Sequence, residues 1–304
     1  MHDQERQKAL PSASKTVTLQ IPDENFTAVL IDKGLDRLRQ SGYCDLVEKN
    51  ESRLIRIGLY GLYLAALLGL LASVILPMRY PWLTFGNALP AGLIWVLGCL
   101  VLHYTAWKFL PRIPAILEAT PTHLASAALP DIYALGSGIG GIVVLLGGFI
   151  QWIKTSSFLI FLTAFLIFAF LEYMTVLSLR PRLLNIQAGS IRSAGEEFMG
   201  IFSFLIKLNL RATPVAFGLV MILGLAFLLE LLFSKYDLME VLLLQLTKSS
   251  LTVVYAALLP LFGYLAFLFW HYLVDLGRAI LRWLPHGEAP QVLRHEEQRN
   301  LAGD

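Results

Sequence analysis

Along this chain, apolar and polar positions separate into long blocks and do not alternate on the short periods of soluble helices or strands. Six blocks, 57–76, 89–107, 132–153, 158–179, 213–233 and 251–274, are apolar on every side. Glu172 and Glu230 are the only Asp, Glu, Lys or Arg within them. The blocks are 19 to 24 residues long, and a helix rising about 1.5 Å per residue needs about 20 residues to cross a hydrocarbon core of about 30 Å. The pattern predicts an all-α integral membrane protein of six transmembrane helices, arranged as three helical hairpins. Strands of a membrane barrel would read as segments of roughly ten residues with alternating polarity, so a β-barrel is excluded.

Between the blocks the pattern changes. Thr16 to Pro22 reads as an extended piece. Asp23 then caps a helix whose Val29, Ile31, Leu35 and Leu38 form an apolar stripe beside Lys33, Asp36 and Arg37, an amphipathic helix suited to a membrane interface or a partner. Gly42 breaks it, and a second helix from about Asp45 runs into the first span. Residues 1–56 thus form an N-terminal segment, 57–274 the membrane domain and 275–304 a polar tail. Connection 108–131 contains Pro111, Pro114, Pro121 and Pro130, which confine helix there to short pieces. In connection 180–212, Ser193 and Glu196 have capping-box spacing and open an interfacial helix carrying Phe198, Met199, Ile201, Phe202, Leu205 and Ile206. The opposite connections, 77–88 and 154–157, are short, and only 234–250 has substance.

Composition agrees with this reading: 56% of residues are hydrophobic and 15% charged, with a mean hydropathy of +0.64, against about 25% charged in an average soluble domain. Residues 1–15 are polar and lack the apolar core of a signal peptide. If the N-terminal segment stays where it is made, 20 of the 24 Lys and Arg fall on its side. The positive-inside rule then places both termini in the cytoplasm, in a bacterial plasma membrane. A net charge of +2 without a basic tract excludes a nucleic-acid partner. Cys44 and Cys99, one before the first span and one inside the second, do not form a disulfide framework.

A weak internal correspondence suggests three copies of one hairpin. Leu68-Gly69, Leu146-Gly147 and Leu223-Gly224 align in the first helices, and His103-Tyr104, Glu172-Tyr173 and His271-Tyr272 in the second. His103, Glu172 and His271 stand five, eight and seven residues before the first basic residue beyond their helices, roughly 8 to 12 Å in from the inner edge at 1.5 Å per residue. Ionisable side chains are costly in hydrocarbon, so these three are the candidate polar site, ringed by Tyr104, Tyr173 and Tyr272. Asp275, one turn after His271, can orient its imidazole. Glu230 reads as an interfacial charge. An alternative use of His103 and His271 is axial ligation of a haem, although neither His-x-x-x-His nor CxxCH accompanies them.

The run Gly136-Ser137-Gly138-Ile139-Gly140-Gly141 matches GxGxxG, but it lies inside an apolar helix with no preceding strand, so it is not a dinucleotide loop. Gly136 and Gly140 instead form GxxxG and, with Gly147 and Gly148, give a small-residue face for close helix packing. The sequence carries no P-loop, HExxH or GxSxG. No cofactor or metal is expected. These features point to a non-enzymatic subunit or scaffold whose partners are the bilayer and other membrane subunits or itself. A small proton- or cation-coupled transporter built on the His/Glu cluster is the alternative, and a membrane haem protein or enzyme comes third.

Overall fold

The computed structural model describes residues 26–124, 126–188, 194–236 and 238–283. The Thr16–Pro22 piece, the Asp23 cap, Ser193 of the capping box and the end of the polar tail lie outside the described residues. The amphipathic stripe forms α1 (Phe26–Gln40), and α2 (Gly42–Arg79) follows after a break at Ser41. Then come α3 (Phe85–Phe109), the short α4 (Arg112–Ala119), β1 (Thr122–Leu124), α5 (Ala128–Thr155), α6 (Phe158–Leu179), a 3-10 turn at Pro181–Leu184, β2 (Ile186–Ala188), α7 (Ala194–Phe233) and α8 (Met239–Trp283). Six helices, α2, α3, α5, α6, α7 and α8, are long and apolar enough to cross a membrane. We call the end holding the start of α2 and the ends of α3, α6 and α8 the base, and the opposite end the top.

Several of these helices outrun their apolar blocks. The second N-terminal helix is the first 15 or so residues of α2, continuous with the span. The separate interfacial helix expected after Ser193 is instead the base of α7, which runs unbroken for 40 residues. Segment 239–250, expected as connection, is the start of α8. In each case the helix persists because its neighbours give the polar residues partners, so no backbone bond has to be opened. At the top of α5 and α6 the chain reverses through Ser156, which takes a left-handed conformation at φ 54°.

Helix α7 is the centre of the bundle and packs on α2, α6 and α8. Consecutive spans α2/α3, α5/α6 and α7/α8 pack along one another, but α2 packs on α7 as extensively as on α3, and α3 also meets α8. Apolar surface gives no drive for association inside lipid, so close approach and polar ties decide the packing. At the α2/α7 crossing, Gly218 lies against the backbone carbonyl of Leu54, where an added methyl would overlap it. Leu62, Ala65, Phe217 and Met221 fill the core beside this crossing.

The aligned Leu-Gly positions of the suggested repeat play different parts. Gly69 faces Trp95 of α3 and Gly224 faces Val253 of α8, but Gly147 has nothing near it. The two base connections meet in a small parallel sheet, β1 with β2, which packs on α7. Gly200 of α7 leaves room there for the carbonyl of His123.

Candidate functional site

The structure does not bring His103, Glu172 and His271 together. His103, on α3, shares a 2.9 Å hydrogen bond between Nε2 and the hydroxyl of Tyr63 on α2, and its ring packs on Tyr63 at 4.3 Å. Its Nδ1 is buried with no hydrogen-bond partner among the described residues. His271, on α8, stacks on Phe267 at 5.2 Å, and its Nε2 lies 3.6 Å from Asp275, which also pairs with Arg278 at 3.5 Å. At 3.6 Å Asp275 stands beside the imidazole, beyond hydrogen-bond distance.

The two histidines also differ in depth. Helices α3 and α8 run in the same direction, and Phe109 of α3 meets Tyr264 of α8 at 5.5 Å. His103 lies six residues above that contact and His271 seven below, a separation along the axis of about 20 Å at 1.5 Å per residue. The common depth read from distances to the first basic residue therefore fails, because those residues stand at different levels: Lys108 is one residue before Phe109 and Arg278 fourteen after Tyr264. A haem held between these two imidazoles does not fit that separation. Of the tyrosines, Tyr104 and Tyr272 are exposed on the lipid-facing side and Tyr173 is buried.

The polar centre of the base was not anticipated. Arg211 of α7 makes a two-pronged ion pair with Glu51 of α2, at 2.7 Å on both arms, and Tyr173 of α6 donates to the same carboxylate at 3.0 Å. The Arg211 and Glu51 side chains are 17% and 13% exposed. Such a fork holds a guanidinium in one orientation and satisfies most of both charges. Nearer the base, Arg180 pairs with Asp45 at 2.7 Å and with Glu48. Its hydrogen bond to Asp45 raises the guanidinium pKa above its ordinary value, against an opposing desolvation, and Glu48 adds to the rise. Arg39 of α1 bonds Asp131 at the start of α5.

Lys207, fully buried in α7, donates to the carbonyls of Thr120 and Asn185, one in each base connection. Asn185 takes a left-handed conformation and its side-chain amide donates to the carbonyls of Leu117 and Glu118. The hydroxyls of Thr122 and Ser203 meet at 3.1 Å beside it. Lys207 thus ties α4, β1 and β2 to α7 through helix-end carbonyls, which favour a cation.

Glu172, on α6, accepts a 2.6 Å hydrogen bond from Tyr43 at Oε2, and its Oε1 faces Gly141 of α5. One turn toward the base, Ser137 and Thr175 meet at 2.8 Å. Of the four glycines read as a packing face, Gly148 packs hardest, against Ala164 of α6, and Gly140 just reaches Leu171. Gly136 and Gly147 have nothing within 4 Å. The seam between α5 and α6 uses Gly138, Gly141 and Gly148, while Gly136, Gly140 and Gly147 lie along a second, outward stripe beside exposed Ile132, Ile139, Val143 and Ile150.

At the top, Arg79 donates to the carbonyls of Leu232 and Ser234, closing the end of α7, and Glu230 takes a hydrogen bond from Gln245. A cavity of about 440 Å³ opens there among α2, α3, α7 and α8, with Ser73, Trp82, Asn87, Trp95 and Leu228 in its wall and no charged side chain lining it. No three His, Cys, Asp or Glu among the described residues converge on a metal position. Compared with known families, with curated proteins and with solved structures, the chain matches none.

Proposed function

We propose that this multipass membrane protein is a non-enzymatic subunit or scaffold of a larger assembly in a plasma membrane, with its base in the cytoplasm. The observation that carries the reading is the outward face of α5. That helix packs chiefly on α6 and leaves Gly136 and Gly147 exposed and Gly140 half-buried beside them, flanked by exposed β-branched side chains. A glycine stripe exposed to lipid forgoes packing that a second helix would supply, since small residues let two backbones approach closely. The rest of the molecule supports the same role. Glu51 with Arg211, both less than a fifth exposed, and the buried Lys207 with two carbonyls are engaged in joining helices. The cavity at the top has no charged side chain in its wall.

The test is Gly140→Leu, introduced at a position that meets only Leu171 at 4.0 Å within the chain. Folding of the isolated chain is expected to be unchanged, and recovery of the assembly on native electrophoresis to fall severalfold. Undiminished recovery with a normally folded chain refutes the reading.

A further inference from the structure

We propose that the seam between α5 and α6 binds a monovalent alkali-metal cation between the carboxylate of Glu172 and the hydroxyls of Thr175 and Ser137. This site is separate from the outward glycine stripe and does not depend on assembly through it.

The starting point is a charge without a countercharge. Among the described residues no Lys, Arg or His pairs with Glu172, although it lies on a spanning helix about 12 Å above Arg180 at 1.5 Å per residue. A carboxylate at such a place is costly unless something neutralises it. Its Oε2 is held by the Tyr43 hydroxyl at 2.6 Å, while Oε1 has no hydrogen-bond partner among the described residues and faces the notch left by Gly141, 3.3 Å from where a Cβ would stand. A side chain at position 141 would fill that notch.

Oxygen donors continue along the seam. Gly138 leaves a second notch, 3.6 Å from the Thr175 hydroxyl, and that hydroxyl lies 2.8 Å from the hydroxyl of Ser137. Each can donate to a carbonyl of its own helix, Thr175 to Leu171 at 3.0 Å and Ser137 to Tyr133 at 2.8 Å, leaving lone pairs of both for a cation. Glu172 and Thr175 are three residues apart, as are the two notches, so the residues stand about 4.5 Å apart along the helix axis, a span that two oxygen–cation contacts of about 2.3–2.6 Å can bridge. Charge selects its valence: one carboxylate with neutral hydroxyls cancels a single positive charge, whereas a divalent ion would leave a net charge in a medium where that is expensive. Tyr43, near the base and 37% exposed, holds the other carboxylate oxygen.

The experiment uses the full chain purified in mild detergent, melted in choline chloride and in lithium, sodium, potassium or calcium chloride at equal ionic strength. Because a ligand bound only by the folded form stabilises it, at least one alkali cation is expected to raise the wild-type midpoint in a saturable way. Glu172→Gln is expected to abolish that rise. Thr175→Val is expected to move the half-saturating concentration about tenfold upward, equivalent to about 1.4 kcal/mol. Ser137→Ala, which keeps the seam packed, should move it in the same direction. Four results overturn the proposal: no alkali cation outperforming choline, an equal rise in Glu172→Gln, a rise given by calcium alone, or unchanged half-saturation in both hydroxyl variants. The hydroxyl variants decide the matter if Glu172→Gln does not fold.

Discussion

Glu51→Leu is the perturbation whose outcome the structure constrains most tightly. In the wild type, Glu51 satisfies the Arg211 guanidinium through two 2.7 Å contacts and the Tyr173 hydroxyl through one at 3.0 Å. Leucine fills a similar volume but accepts nothing, so the guanidinium stays buried with no carboxylate and the phenol with no acceptor. Removing one partner of a buried ion pair costs about 3–5 kcal/mol, and a buried hydroxyl left unpaired about 1–3 kcal/mol. These losses overlap in one network. Both charged side chains are less than a fifth exposed, so solvent screening reduces the total only modestly, and a loss of about 3–5 kcal/mol is expected. It will appear as easier separation of α2, α6 and α7 in a detergent titration, with helical circular dichroism retained at first, because helices in an apolar medium keep their own backbone bonds. The double variant Glu51→Leu with Arg211→Met removes both charges and is expected to recover most of the loss. A single-variant loss below about 1 kcal/mol, the range of an exposed pair, would refute the reasoning. So would a double variant as unstable as the single one.

Two further perturbations separate close packing from local geometry. Gly148→Leu drives a side chain into Ala164 and should part α5 from α6, seen as new protease cleavage near the Ser156 turn. Gly147→Leu, with open space around it, should leave that pattern unchanged. Asn185→Ala loses two bonds to α4 carbonyls and keeps a left-handed backbone, a combined cost of about 2–4 kcal/mol. Asn185→Gly relieves the backbone term, so amide exchange across 112–124 should quicken less in Gly than in Ala.

The spans were legible because hydrocarbon tolerates only apolar, internally bonded segments, and that constraint is written on every side of α2, α3, α5, α6, α7 and α8. The charged knots at the base were not, because each joins residues far apart in sequence. Glu51, Lys207 and Arg211 fall in stretches whose composition is that of aqueous connections. One signal was available for Glu51. The inward stripe of α2, Leu62, Gly58 and Leu54, continues one turn back to Glu51 and predicts that it points at a neighbour. No comparable signal marks Lys207, whose acceptors are carbonyls presented by two other connections. The glycines of α5 were legible as a packing surface but not divisible into two faces, since the run from Gly136 to Gly148 covers more than one side of the helix. The common depth of His103 and His271 failed for another reason: counting from the first basic residue assumes that those residues share one level, and Lys108 and Arg278 do not.

Assembly through α5 is tested most directly by measuring the mass of the particle extracted from the chain's own membrane in mild detergent, with a photoreactive residue at position 136 or 147. A protein mass above the 33.9 kDa of one chain, with crosslinks from those positions to a helix of a second copy or another subunit, is the expected result. A particle of one chain whose photoreactive residues capture only lipid or detergent would contradict it.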